Sequence, residues 1–223
     1  MRLTVFNGSP RGKQSNTTVL LEHFLGGFTA KEGNSYEIAY LTPVKDEDRL
    51  VTLFQEAERV LLAFPLYGDA MPSGGKTFIE ALSPLCGRAA NPPLGFIVQS
   101  GLPEAFHSRG AERYLEKLAR RLGSPYLGTA VKGGVEGIRA QPESWNRRLF
   151  RAFYELGEAF GETGEFDRGL LTRLAGTERF SRAQALNYRL IGRRLAHSFY
   201  WNKMLKENQA YEKRFDRPYL EPK

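Results

Sequence analysis

The residues best suited to chemistry lie near the start of the chain, in the segment Asn7-Gly8-Ser9-Pro10-Arg11-Gly12-Lys13-Gln14-Ser15-Asn16-Thr17. This segment follows a short apolar, β-prone run at 3–6 and precedes apolar residues at helical spacing over 19–25. A polar loop in that place brings backbone N–H groups, hydroxyls and a guanidinium to a helix N-terminus, where an anion is stabilised. The segment therefore predicts a phosphate-binding loop, and the alternative is an ordinary strand-to-helix turn capped by Ser or Asn.

The two commonest nucleotide fingerprints do not fit the chain. Gly8 and Gly12 do not give the G-x-G-x-x-G spacing of a dinucleotide-binding turn. The tetrapeptide Gly74-Gly75-Lys76-Thr77 matches the end of a Walker A loop, but Ala70 occupies the position of its first glycine. A nucleoside triphosphatase is therefore excluded at that position, and the tetrapeptide is predicted to begin a helix.

Cysteine, histidine and hydropathy limit the classes of protein. With one cysteine, Cys86, the chain cannot form an internal disulfide or a C-x-x-C metal site, and we expect this thiol to be buried beside Leu82 and Leu85. The three histidines are scattered without metal-ligand spacing, so no metal site is predicted. The chain begins directly with a strand pattern and has no apolar run approaching about 18 residues, so we expect a cytoplasmic protein.

Charge divides the chain into two parts. Residues 1–167 carry a net charge of −1, whereas residues 168–223 carry +8 and account for the whole of the chain's +7. The turn signal Gly161-Glu162-Thr163-Gly164 precedes this change. We therefore predict one domain over 1–165 and a basic helical extension over 166–223 that packs on the core or on a partner subunit.

The first part alternates strand and helix patterns. The predicted strands are 3–7, 36–40, 59–64, 94–99 and 126–131, and the predicted helices are 16–28, 46–58, 73–83, 104–122 and 144–162. Five such units with short connections favour an open, doubly wound parallel sheet with helices on both faces. In such a sheet, ligands bind beyond the carboxyl ends of the strands.

The loops at those strand ends are suited to a flat ring. The loop Pro65-Leu66-Tyr67-Gly68-Asp69-Ala70-Met71-Pro72 starts with proline and carries an aromatic residue beside a small one. The loops 99–104 and 132–137 contain small and polar residues that let the backbone approach a ligand. Together with a phosphate-binding loop on a five-stranded sheet, they indicate FMN.

At this point the chain resembles the flavodoxin-like NAD(P)H-dependent FMN reductase and quinone reductase family. The resemblance covers about residues 1–165 and rests on these motifs: Gly8-Ser9-Pro10-Arg11 with Ser15-Asn16-Thr17, Pro65-Leu66-Tyr67 with Met71-Pro72, and Gly133-Gly134. It implies a flavodoxin-like, doubly wound five-stranded parallel sheet, followed here by a C-terminal helical extension. It also implies an enzyme that transfers hydride from NAD(P)H through N5 of bound FMN to a quinone, a nitro- or azo-aromatic compound, or a flavin.

The resemblance assigns the cofactor-binding residues in three groups. They are Ser9, Arg11, Ser15, Asn16 and Thr17 for the phosphate; Pro65, Leu66, Tyr67 and Met71 along the isoalloxazine; and Ser100, Gly101, Gly133 and Gly134 at the pyrimidine side. Lys132 is expected to aid backbone donors near N1 and O2 of the flavin. Leu102-Pro103 replaces the aromatic residue usual after the fourth strand. No catalytic side chain is predicted, since the protein contributes stacking geometry, proximity and tuning of the flavin.

Two other functions compete with a reductase. One is a flavodoxin-type electron carrier that docks a redox partner, although such carriers are usually strongly acidic and residues 1–167 are nearly neutral. The other is a binding module that kept the fold and lost the flavin. An intact phosphate loop disfavours this second alternative.

The basic extension is predicted to contain a long helix. From Ser181, its N-cap, apolar residues recur at helical spacing to Tyr211 with basic residues between them. Related reductases form dimers, so the resemblance implies a homodimer, and the helix is expected to pack on its own domain or on a second subunit. Contact with an anionic membrane surface or an acidic protein is an alternative. Nucleic acid is disfavoured because no recognition motif is present.

Overall fold

One parallel β-sheet organises the chain. A computed structural model describes residues 1–43, 46–192, 201–217 and 219, with the backbone alone at 191 and 192. The strands are β1 (Arg2–Asn7), β2 (Ser35–Tyr40), β3 (Arg59–Pro65), β4 (Leu94–Gln99) and β5 (Tyr126–Lys132). Their order is β2-β1-β3-β4-β5 and every pair is parallel. This is the flavodoxin-like order, and it confirms the predicted fold class.

Helices follow the strands as the periodicity predicts. The helices are α1 (Asn16–Phe28), α2 (Glu47–Gln55), α3 (Ser73–Ala81), α4 (Arg109–Leu122), α5 (Glu143–Thr163), α6 (Arg168–Ala175), α7 (Arg182–Asn187) and α8 (Asn202–Glu207). Helix α1 has the predicted bounds, whereas α4 begins later than predicted. Its predicted first turn is a separate 3₁₀ turn, Ala105–Ser108, where the N–H of Ala105 donates to the Thr177 carbonyl (3.0 Å).

Apolar side chains bury both faces of the sheet. On one face, α1 and α5 supply the large side chains Phe24, Phe28, Phe153 and Phe160, all fully buried. On the other face, α2, α3 and α4 contribute Phe54, Phe78 and Leu115 to a second cluster. Strand β3 lies at the centre and is buried along almost its whole length, as a strand covered on both faces should be.

Two compact units divide the chain after Arg179, further along than the change in charge. Phe166 and Leu174, at the start of the predicted extension, are buried in the core of the first unit. In the second unit, Phe180–Lys223, α7 leads into a wide helical turn, Tyr188–Gly192, and α8 follows at Asn202. Part of the long helix predicted from Ser181 to Tyr211 falls on 193–200, outside the described residues.

The prediction that Cys86 is buried was wrong. Leu82 and Leu85 are buried, but Cys86 is exposed. Cys86 follows the short turn Ser83–Leu85 in an extended conformation, and Gly87 then reverses the chain with a φ of +76°. The backbone therefore turns Leu85 toward the core and carries the thiol to the surface.

Helices α1 and α5 cross at two glycines. A Cβ at Gly27 would overlap the carbonyl oxygen of Tyr154, and a Cβ at Gly157 would overlap that of Phe24. The two backbones are therefore in direct contact, and no larger residue fits between them. This contact fixes α1 against the sheet and so determines where its N-terminus lies.

We predict opposite effects for two neighbouring glycines of α1. Gly27→Ala forces α1 away from α5 and should lower the free energy of unfolding by about 3 kcal/mol. A Cβ at Gly26 would have its nearest neighbour, a ring carbon of Tyr154, at 3.8 Å, which is ordinary van der Waals contact. Gly26→Ala should therefore be neutral or raise the free energy of unfolding by up to about 1 kcal/mol through helix propensity. Urea unfolding measures both, and equal losses would contradict the close crossing.

Candidate functional site

A cleft lies at the carboxyl ends of β1, β3 and β4, where the strand order reverses. It encloses about 300 Å³, counted with the open solvent at its mouth. The lining residues are Ser9, Arg11, Ser15, Asn16, Pro65, Leu66, Tyr67, Gln99, Ser100, Gly101 and Glu136. The cleft thus brings together nine of the thirteen residues predicted from the sequence, and it lies where ligands of this class of sheet bind.

Internal hydrogen bonds fix the loop after β1 at the wall of the cleft. The N–H of Gly8 donates to the Ala63 carbonyl (2.8 Å), and that of Ser9 donates to the Asn7 side chain (2.9 Å). Ser15 then caps α1 by accepting from the N–H of Thr18 (3.1 Å). The first turn of a helix has N–H groups without intrahelical acceptors, so a wall of the cleft carries partial positive charge.

The side-chain donors of Ser15 and Asn16 are already engaged within the protein. The Thr18 hydroxyl donates to the Gly12 carbonyl (3.0 Å), so its contact with the Ser15 hydroxyl (3.0 Å) uses the Ser15 proton. Asn16 Nδ2 donates to the carbonyls of Val135 (2.9 Å) and Glu136 (3.1 Å). Both residues line the cleft, but their side-chain N–H and O–H groups are already used by protein acceptors.

Arg11 and Glu136 face each other in the cleft. Arg11 Nη1 lies 3.8 Å from Glu136 Oε1, and both side chains are about half exposed. Glu136 also packs against Gly101, where an added Cβ would be 3.3 Å from the Glu136 Cβ. The cationic group predicted to bind a phosphate therefore has a carboxylate of the protein as its neighbour.

A tight turn presents Tyr67 at the edge of the cleft. Tyr67 and Ala70 exchange backbone hydrogen bonds (2.8 and 3.2 Å), and Gly68 and Asp69 between them have φ of +55° and +63°. Two consecutive left-handed residues make the type I′ turn for which Gly and Asp are suited. The Tyr67 side chain is 47% exposed, so its ring is accessible to a ligand.

Four predicted residues lie outside the lining. Thr17 is fully buried, and its hydroxyl accepts a hydrogen bond from Gln99 Nε2 (3.3 Å). The Met71 side chain packs against Gly75, where an added Cβ would lie 3.5 Å from the Met71 sulfur. The loops after β4 and β5 meet at the two remaining residues. The Gly134 N–H donates to the Leu102 carbonyl (3.1 Å), and a Cβ at Gly133 would overlap that same oxygen.

Lys132 is directed to α6 instead of the cleft. Its Nζ donates to the Leu174 carbonyl near the C-terminus of that helix (3.1 Å). Burial lowers the pKa of this ammonium group. Lys132 therefore ties β5 to α6 and does not line the cleft, contrary to the expectation from the resemblance.

Two lining residues, Gln99 and Glu136, were missed in the sequence. Gln99 is the last residue of β4, so its place at a strand end was a usable signal. Glu136 lies four residues beyond β5, and a carboxylate is not a residue type that predicts an anion site. Across the described ranges, no cluster of His, Cys, Asp or Glu is arranged to hold a metal ion, and no helix is both long and apolar enough to cross a membrane.

Comparison with solved structures shows the same fold. An NADPH-quinone reductase from P. pentosaceus has a TM-score of 0.51 and 19% identity, covering 70% of this chain and 96% of its own. An FMN-dependent NADH-azoreductase from Bacillus anthracis str. Ames Ancestor, in complex with FMN, has a TM-score of 0.56 and 13% identity, covering 72% and 100%. An NADH:FMN oxidoreductase in its apo form has a TM-score of 0.52 and 14% identity, covering 82% and 92%.

At these identities the similarity defines the class of fold, which is flavodoxin-like α/β. No family model matches the sequence. No curated protein matches it either. The activity is therefore argued from the cleft itself.

We predict that the Asn16 amide is needed to assemble the cleft. Asn16→Asp places a carboxylate against two carbonyls at a buried position and should lower the free energy of unfolding by about 2 kcal/mol. Added inorganic phosphate should raise the melting temperature of the wild-type protein but not that of this variant. Thermal unfolding with and without phosphate measures both effects.

Asn34→Asp is the matched control. Asn34 Nδ2 also donates to two carbonyls, those of Phe28 and Gly161 (both 2.9 Å), beyond the other end of α1. This variant should lose stability and yet keep its response to phosphate. If the two variants respond to phosphate alike, Asn16 has no specific part in the cleft.

Proposed function

We propose that this chain is an FMN-dependent oxidoreductase that transfers hydride from NAD(P)H to a quinone, a nitro- or azo-aromatic compound, or a free flavin. The observation that carries the proposal is the cleft, which combines a helix N-terminus and Arg11 on one side with an exposed aromatic turn on the other. The similar structures supply independent support, since their names give FMN, NADH and NADPH.

The donors in the cleft fit the phosphate of FMN. The N–H groups at the start of α1 and the Ser9 hydroxyl would donate hydrogen bonds to phosphate oxygens, and the Arg11 guanidinium would neutralise their charge. Ser15 would keep its capping role and contribute its backbone. Thr17, which is buried behind the lining, would support the wall through Gln99.

The opposite part of the cleft fits a planar ring. Pro65 and Leu66 form a short apolar edge, which is held in place because the Leu66 N–H donates to the Gln99 carbonyl (2.7 Å). Tyr67 would lie along the ring, and Gly101 would approach its polar edge with a backbone N–H. Ser100 has its hydroxyl on the Leu102 carbonyl (3.1 Å), so it would shape this edge instead of donating to the ligand.

FMN, when bound, would supply the hydride chemistry for both half-reactions. The chain would hold the phosphate, orient the ring against the turn at Tyr67 and leave an open face on which a nicotinamide or an acceptor stacks in turn. No side chain is assigned as an acid or base. The charge of the first unit, +1 over residues 1–179, disfavours a strongly acidic electron carrier.

An anaerobic titration of the purified protein with NADPH and NADH, after addition of FMN, tests the proposal directly. We expect a bound-flavin absorbance spectrum that bleaches with one or both nucleotides and recovers with a small quinone. A bound flavin that stays oxidised would favour the electron carrier. Absence of any flavin binding would overturn the proposal.

The phosphate role of Arg11 is tested by a charge-matched pair of variants. Arg11→Ala should weaken FMN binding by about tenfold or more, because a charge-assisted hydrogen bond is lost. The fold should be unaffected, since the side chain is half exposed. Lys13→Ala removes the same charge from the same loop, outside the cleft lining, and should change the affinity little. Quenching of flavin fluorescence measures both, and equal affinities would remove the role assigned to Arg11.

A further inference from the structure

The second unit, Phe180–Lys223, has an unusual combination of charge and exposure. It contains ten Lys and Arg against four Asp and Glu, and so carries +6 of the chain's net +7. None of its described side chains, in 180–190, 201–217 and 219, is buried. Large apolar side chains at these positions are therefore at least partly exposed to solvent. Contact with a partner that covers them would be favourable.

The first basic–apolar segment of this unit runs through α7 into the helical turn after it. Leu186 and Leu190 are 56% and 60% exposed, and their spacing of four residues places them on one side of the helical turn. Arg182 and Arg189 stand at the same side, four residues before and three after Leu186. The result is an exposed leucine pair with Arg182 one turn before Leu186 and Arg189 beside Leu190.

The second basic–apolar segment lies in the turn after α8. The Arg214 guanidinium lies over the rings of Tyr211 (3.9 Å to the centroid) and Phe215 (4.8 Å), and Lys206 Nζ lies 5.1 Å from the Tyr211 centroid. Phe215 is nevertheless 79% exposed, and Tyr219 is 98% exposed. Cations stacked on exposed aromatic rings are suited to a boundary between a polar and an apolar phase.

We propose that these two basic–apolar segments, one with Arg182, Leu186, Arg189 and Leu190 and the other with Arg214 and Phe215, bind the surface of an anionic lipid bilayer. Charge complementarity distinguishes this partner from a second copy of the chain. The sheet unit carries a net charge of +1 and the second unit +6, so another copy offers no net negative charge to attract the second unit. Anionic headgroups attract the arginines while the acyl region receives the leucines and rings.

The consequence for catalysis rests on the proposed function. A reductase held at a bilayer would meet apolar acceptors, such as lipid-soluble quinones, at the concentration they reach in the membrane. Binding to lipid is measured without flavin or turnover, so its failure and the failure of the oxidoreductase proposal are separate results.

Sedimentation of the full-length protein with lipid vesicles tests the proposal. We expect at least about tenfold tighter binding to vesicles of phosphatidylglycerol and phosphatidylcholine than to phosphatidylcholine alone, and weakening as NaCl is raised. Arg182→Glu with Arg189→Glu should abolish the preference. Leu186→Ser with Leu190→Ser, which leaves the charge unchanged, should weaken binding several-fold.

The matched control reverses two arginines elsewhere. Arg120→Glu with Arg121→Glu makes the same change in net charge on an exposed turn of α4 and should leave vesicle binding nearly unchanged. The proposal is overturned if the control pair weakens binding as much as the tail pair, or if anionic and neutral vesicles bind alike. It is also overturned if the leucine variant turns a dimer into a monomer in sedimentation velocity and leaves lipid binding intact, because the leucine pair is then part of an interface between copies.

Discussion

The contact between the backbones of α1 and α5 is the constraint on which the site depends. Gly27 and Gly157 let the helices cross without intervening side chains, and the phenylalanines around them fill one face of the sheet. The cleft is built at the start of α1, so the same packing that stabilises the domain also fixes the direction of the helix dipole. A ligand bound at the start of α1 would meet a helix N-terminus that is already in place, so its binding would require little ordering of the protein.

Asparagine side chains connect distant loops throughout the sheet unit. Asn16 ties the start of α1 to the loop after β5, Asn34 joins the end of α1 to α5, and Asn91 donates to the carbonyls of Leu85 (2.8 Å) and Leu122 (2.6 Å). Each amide satisfies carbonyls left over where a helix or strand ends. These hydrogen bonds thereby tie chain segments that are far apart in sequence to one another.

Periodicity predicted the fold because each element carries its own pattern. The bounds of α1 and the central strands follow from local apolar spacing, and the strand-end rule then located most of the cleft. The misplaced residues depend on contacts between loops far apart in sequence. Gly133 serves the packing of one loop on another, and Lys132 reaches a carbonyl in α6, which no local pattern reports. The burial of Cys86 was predicted wrongly because neighbouring residues can face opposite ways: the backbone directs Leu85 to the core and Cys86 to the surface.

The pairing of Arg11 with Glu136 has a consequence for ligand exchange. The Glu136 carboxylate would compete with an anionic ligand for the Arg11 guanidinium. Because the loop holds the carboxylate near Arg11, its effective concentration there is set by the protein and does not depend on the composition of the solution. A dianion entering the cleft would have to displace this carboxylate from Arg11, and the carboxylate would return when the dianion leaves. A monoanion would gain less than a dianion over the resident carboxylate. Such an arrangement would favour dianionic ligands over monoanionic ones of the same shape.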